Sequence, residues 1–142
     1  MIEISRILIV GLGSIGRRHL KILRDIKPFA DIRVLKHKTK LDIPEYSNGI
    51  LKNFKEVTEF KPQIALIATP ATFHLNIALS LAKLGCSLLI EKPISIDSIN
   101  IKELIELRDK ENLFIQVGYN LRYDKSLLFF KKQIQSQLIG EV

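Results

Sequence analysis

The sequence predicts an α/β fold: a doubly wound parallel sheet with helices on both faces, three layers in all. Two observations carry this expectation. Short, β-branched apolar runs alternate with longer segments of helical periodicity, the order that builds a parallel sheet covered on both sides. The apolar runs also lack clean polar–apolar alternation, as strands buried on both faces do. Right-handed crossovers then leave few topologies. In such sheets ligands gather at the carboxyl ends of the strands, so the residues that follow each strand are the candidates for chemistry.

RILIV (Arg6–Val10) is the first strand, a β-branched run closed by glycine. From Ser14 to about Ile26 a helix places Ile15, Leu20, Ile22, Leu23 and Ile26 on its apolar positions, and Pro28 ends it. DIRVL (Asp31–Leu35) is the second strand. Residues 36–49 are polar and irregular, with Pro44, Asn48 and Gly49 as breakers. A short strand near Ile50 and a short helix over residues 56–60 precede the strand PQIALIA, residues 62–68. Thr72 is placed to cap a helix that buries Ile77, Ala78, Leu81 and Ala82, and Gly85 to stop it. SLLI (Ser87–Ile90) is the next strand. Asp97 or Ser98 caps a helix burying Ile101, Leu104 and Ile105. FIQVGY (residues 114–119) is the last strand, and a final helix runs from about Asp124 to Leu138.

Bulk composition narrows the class. The chain has 142 residues and is 46% hydrophobic, enough for one domain with a real core. Its apolar runs are far shorter than the ~20 residues of a membrane span. The N-terminal MIEISRILIV carries an acid and no cleavage site of small residues, unlike a signal peptide. Cys86 is the single cysteine, which excludes an internal disulfide and a multi-cysteine metal site. A cytoplasmic protein that uses no metal and no membrane is expected. The formal charge of +7 raises nucleic acid as a partner, but aromatics are only 7% and no nucleic-acid motif is present. Positive charge also suits a small molecule bearing phosphate.

The strand ends carry the signals. After the first strand comes GLGSIG: Gly11, Leu12, Gly13, Ser14, Ile15 and Gly16. Gly11 permits a tight turn, Gly13 lets the backbone approach a pyrophosphate, and Gly16 lets helix and strand pack closely. The amides of the helix start then face the phosphates. Between a strand and a helix the pattern points to dinucleotide binding. At the end of the second strand, where an acid commonly binds ribose hydroxyls, the sequence reads Lys36-His37-Lys38. Cations there attract a 2′-phosphate. The cofactor is therefore NAD or NADP, with NADP favoured. ATPATFH (residues 68–74) places Thr69 and Pro70 where the chain leaves the sheet and His74 in the first turn of a helix. Glu91-Lys92-Pro93 follows SLLI. Pro93 keeps Lys92 out of helical geometry at the sheet's carboxyl edge, where it suits either proton transfer or a solvated strand end. GYNLRYD (residues 118–124) adds Asn120, Arg122 and Tyr123 at the same edge.

Together GLGSIGRRH, TPATFH, EKP and GYNLRYD resemble the Gfo/Idh/MocA family (glucose–fructose oxidoreductase, inositol dehydrogenase, rhizopine catabolism protein), in its order and spacing across nearly the whole chain. The resemblance implies a Rossmann fold, a nicotinamide cofactor, a sugar, cyclitol or related polyol substrate, and a homo-oligomer. It implies cofactor contacts from residues 11–16, Thr69, Pro70, His74, Glu91, Lys92, Pro93 and Asn120, with Lys92 catalytic beside the nicotinamide. Members carry a second α/β domain that begins at about the position of residues 139–142. The expectation is thus a dinucleotide-binding domain over residues 1–138, with 139–142 starting a missing substrate domain. Such a chain binds cofactor without turnover. The other reading is a non-catalytic dinucleotide-binding module for sensing or scaffolding. S-adenosylmethionine as ligand would leave EKP and GYNLRYD unexplained. Without a second domain, Phe129, Phe130 and Leu138 are expected at the surface, where they favour self-association.

Overall fold

The computed structural model describes residues 3–36, 42–137 and 140. His37, Lys38 and Leu138 lie outside the described residues. In chain order the elements are β1 (Arg6–Val10), α1 (Ser14–Ile26), β2 (Asp31–Leu35), β3 (Gly49–Leu51), α2 (Phe54–Phe60), β4 (Ile64–Ile67), α3 (His74–Ala82), β5 (Ser87–Ile90), α4 (Ile101–Lys110), β6 (Ile115–Val117) and α5 (Lys125–Gln135). Single 3₁₀ turns at Ala71–Phe73 and Asn120–Tyr123 precede α3 and α5. All strand pairs are parallel, in the order β3-β2-β1-β4-β5-β6. The doubly wound fold expected from the sequence is the fold observed. No helix among the described residues is long and apolar enough to cross a membrane.

The order explains where the helices lie. From β1 the chain winds outward to β2 and β3. It then returns past β1 and winds the other way through β4, β5 and β6. Right-handed crossovers in opposite directions deposit helices on opposite faces. One core cluster accordingly joins Ile7, Ile9, Ile32, Val34 and Leu66 to Leu20 of α1. The other joins Leu8, Val10, Ala65, Ile67, Leu88 and Ile90 to side chains of α2, α3 and α4. Successive residues of β1 thus enter different cores, so its run shows no alternation. Each fully buried Leu or Ile contributes about 2 kcal/mol of apolar transfer. Cys86 belongs to the second core, and burial pushes its thiol up to about 12, which makes it an inert packing residue.

α1 covers β1 and β2 but not the far strands. Over β5 and β6 the same sheet face presents Leu89 and Gln116, and Phe114 beside them is 69% exposed. Polar staples hold the margins. The Gln63 side-chain oxygen accepts from the Ser5 and Arg6 amides, and its nitrogen donates to Glu3 O. The Arg24 guanidinium donates to the carbonyls of Pro28, Ala30 and Tyr46 and to Asn48 Oδ1.

Several sequence expectations need correction at element ends. The 3₁₀ turn displaces the start of α3 to His74, and Thr72 makes no capping bond. α4 starts after Asn100, and Asp97 instead caps a local turn by accepting from the Ile99 amide. Ile105 is 45% exposed, because Leu104 takes the core position of that helix. Ile15, Ile22 and Ile26 of α1 are likewise exposed, because the single buried apolar position of that helix is Leu20. α2 begins earlier than expected because Asn53 caps it: its side chain accepts from the Glu56 amide, while Glu56 accepts from the Lys52 amide. β4 and β6 are shorter than their apolar runs, ending where ladder partners end. α5 runs from Lys125 to Gln135, with Asp124 as its cap, accepting from the Leu127 amide.

Candidate functional site

The site grows from the point where the winding reverses. β1 and β4 are neighbours there, and their following segments diverge to opposite halves of the sheet. A crevice at the carboxyl ends of such strands is the general ligand position of this architecture. At the end of β1, Gly11 has φ +93, and a Cβ on it would lie 2.5 Å from Ala68 O. A Cβ on Gly16 would collide with Gly11 O. These two glycines let the β1–α1 turn press against β4. Gly13 differs: it is extended, serves as the N-cap of α1 without a side-chain bond, and its Cβ position is open space. The first amides of α1, from Ser14 to Gly16, therefore point outward without an intrahelical partner. Leu12 packs down on the α1-side core, while Ser14 and Ile15 are exposed.

On the facing wall, Thr69 Oγ1 is buried and has no hydrogen-bond partner among the described residues. An unsatisfied buried hydroxyl costs about 1–3 kcal/mol, which makes it a candidate ligand contact. Thr69, Pro70, Gly11 and Lys36 line one cavity of about 710 Å³, floored by the apolar Leu35, Phe54, Phe73 and Ile77. Lys36 leaves β2 at its rim, with its amide bonded to Leu51 O. A second cavity of equal volume lies at the opposite, amino-terminal strand ends, against Gln63, Ser87 and Phe114, away from the Gly11–Gly16 turn and from Lys92.

β5 delivers the reactive candidates. The Glu91 amide donates to Ile67 O, keeping the strand ladder to its last residue. Lys92 and Pro93 follow, both exposed, joined by a cis peptide bond. His74 is 1% exposed. Its Nδ1 lies 2.8 Å from Pro93 O and its Nε2 2.7 Å from Thr69 O. Both ring nitrogens face backbone carbonyl oxygens, which only accept, so a neutral ring donates to one of them at a time; either way His74 underpins the crevice wall rather than opening onto it. Asn120 opens the 3₁₀ turn after β6, exposed, one strand beyond Lys92.

The structure therefore gathers residues 11–16, Thr69, Pro70, His74, Glu91, Lys92 and Pro93 along one edge, with Lys36 and Asn120 at its two ends. One partner escaped the sequence reading. His19 Nε2 donates to Glu91 Oε1 at 2.7 Å, a bond that joins α1 to the end of β5. The donor is assigned by chemistry, since an ionised carboxylate only accepts. His19 sits one helical turn beyond Gly16, next to the buried position Leu20. That spacing shows a face turned toward the sheet but not the strand it meets.

The uncapped helix start, the open space at Gly13 and the orphaned Thr69 hydroxyl together fit a dinucleotide, whose pyrophosphate takes amide donors and whose rings take the cavity. A doubly wound sheet with this turn at its switch point defines a nucleotide-binding domain. The family described as "Oxidoreductase family, NAD-binding Rossmann fold" matches residues 5–119, and the chain belongs to this family, Gfo/Idh/MocA. A curated relative, myo-inositol 2-dehydrogenase of Thermotoga maritima, is 26% identical over 96% of the chain. The chain spans 42% of that relative's length. Among solved structures, myo-inositol 2-dehydrogenase of Lactobacillus plantarum matches 99% of the chain and 43% of its own, at TM-score 0.81 and 22% identity. Scyllo-inositol dehydrogenase of Lactobacillus casei, with NAD(H) and scyllo-inositol bound, matches at TM-score 0.78 and 22% identity, covering 98% of the chain and 43% of its own.

The glycine geometry predicts unequal costs. Gly11→Ala and Gly16→Ala should each lower stability by about 2 kcal/mol or more, through strain and collision. Gly13→Ser should leave it within ~0.5 kcal/mol, since serine is a good N-cap with room for its Cβ. Urea melts of the three variants check this, and equal losses at all three positions would contradict the assignment.

Proposed function

We propose that these residues form the cofactor-binding part of an oxidoreductase that moves hydride between a nicotinamide and a cyclitol, sugar or related polyol. The observation that carries the reading is the pairing of an uncapped glycine turn with Lys92 at the same sheet edge. Inositol dehydrogenases among the relatives support the cyclitol class. A bound nicotinamide supplies hydride acceptance or donation. The chain's own residues do the rest. The amides after Gly13 hold the pyrophosphate, and Thr69 Oγ1 gains the partner it lacks. Pro70 and Pro93 shape the walls, and Asn120 offers a polar contact past β6. Glu91 holds the strand end, and Lys92 receives or returns the hydroxyl proton as the polyol carbon changes oxidation state. We assign to these 142 residues binding without turnover, and steady oxidation of myo-inositol by them alone would contradict that part.

At the adenosine end, Lys36 with His37 and Lys38 favours NADP over NAD, because cations attract a 2′-phosphate. Titration with NADPH and NADH checks this. NADPH should bind about tenfold more tightly, and Lys36→Ala should narrow the gap by weakening NADPH alone. Gly13→Ser should weaken both. Clearly tighter NADH binding would sink the NADP preference while leaving the fold reading intact.

A homo-oligomer is part of the same proposal. Leu127, Leu128, Phe129 and Phe130 of α5 are all exposed, from 47% at Leu127 to 64% at Phe129. Exposed apolar patches of this kind tend to be covered. Sedimentation should show concentration-dependent association that Phe129→Ser and Phe130→Ser together reduce. A monomer at every concentration would count against it.

A further inference from the structure

Lys92 has no side-chain anchor of its own: none of the ion pairs among the described residues involves it, and it is exposed. Its position must come from its neighbours in the chain. On its amino side, Glu91 is held by its amide to Ile67 O and by its carboxylate to His19 Nε2. On its carboxyl side, Pro93 O lies 2.8 Å from His74 Nδ1. His19 comes from α1 on one face of the sheet, and His74 from α3 on the other. We propose that His19 and His74 are positioning residues that clamp the Glu91-Lys92-Pro93 segment from opposite faces and so set Lys92 at the edge of the crevice.

Each histidine also ties the segment to a different wall. His19 belongs to the helix whose start faces the phosphate position, so its bond couples Lys92 to the β1–α1 turn. His74 reaches Thr69 O with its second nitrogen at 2.7 Å, so it couples Lys92 to the wall that follows β4. Gly118 completes the packing. A Cβ there would lie 3.3 Å from Glu91 Oε1, so the β6 end closes on the same carboxylate. Beyond Ile94 the chain runs through exposed bends to residue 100, which offer the lysine little support from that side. Removing either histidine bond should leave Lys92 on a looser loop, with no change in its own chemistry.

The chemistry of the two partners predicts which substitutions work. Glu91 needs one donor, which a glutamine at position 19 can supply from its amide nitrogen. His19→Gln should therefore preserve the clamp, and His19→Ala should break it. His19 is only partly buried, with its side chain 25% exposed, so the alanine variant should fold. At the buried position 74, His74→Phe keeps a ring of similar shape and loses the polar contacts to Pro93 O and Thr69 O. Val57→Ala, a fully buried site in α2, serves as a control that destabilises without touching the segment.

The proposal rests on the assignment of Lys92 to proton transfer for its functional meaning, and the experiment separates the two. The heteronuclear NOE of the Lys92 backbone amide, read without ligand, tests the clamp. It should match β5 in the unsubstituted protein, His19→Gln and Val57→Ala, and fall toward the values of residues 95–99 in His19→Ala and His74→Phe. NADH titration of the same proteins should show about tenfold weaker binding in His19→Ala and restoration in His19→Gln, as lost preorganisation requires. An unchanged Lys92 NOE in both broken variants, or an equal fall in Val57→Ala, would overturn the clamp. Intact NOE behaviour with no NADH binding by any protein would leave the clamp standing and remove the cofactor reading.

Discussion

Backbone meets backbone where the β1–α1 turn closes on the end of β4, and no side chain fits at either point of contact. Gly11 turns with a positive φ against Ala68 O, and Gly16 sits directly over Gly11 O. This approach fixes the start of α1 relative to the sheet. It leaves the first helical amides facing the crevice and brings Thr69 to its opposite wall. Side chains at these two glycines would push the helix outward, and the crevice would lose both walls at once. Gly13 obeys a different rule, because the space at its Cβ belongs to no protein atom. Two glycines thus serve the fold, and the third leaves open space beside the helix start, where the ligand is proposed to bind.

The polar groups around this approach are held by a small set of bonds. His74 joins the segments after β4 and β5 from beneath, and His19 joins α1 to the end of β5. Their partners are backbone carbonyls and a carboxylate rather than solvent. The exposed groups that remain, Lys92 and Asn120, stand on a frame that is otherwise satisfied. Buried polar networks of this kind favour a single arrangement when every member is paired. Thr69 Oγ1 is the exception, and it sits where the ligand is proposed to bind.

Much of this was legible from residue order. The unalternated run Ile7-Leu8-Ile9-Val10 announced a strand buried on two faces, and Gly11, Gly13 and Gly16 announced the turn after it. Element ends were not legible, for local reasons. Thr72 had the chemistry of a cap, but a 3₁₀ turn carried the chain past it. Ile105 had the spacing of a core residue, but Leu104 filled the site. His74 read as a helix residue because both its partners, Thr69 and Pro93, contribute only carbonyl oxygens, and Pro93 lies 19 residues away. His19 stayed hidden for the same reason: its partner Glu91 lies 72 residues away. Periodicity reports which face is buried, but not which strand end that face will touch.

The central claim is that the carboxyl edge, and not the equally large cavity at the amino edge, is the dinucleotide site. A crystal structure of the chain with NADH tests it most directly. The account predicts the pyrophosphate on the amides of Ser14, Ile15 and Gly16, the adenosine in the cavity beside Thr69 and Lys36, and the nicotinamide next to Lys92. Density for the cofactor against Ser87 and Phe114, or a nicotinamide turned away from Lys92, would contradict it.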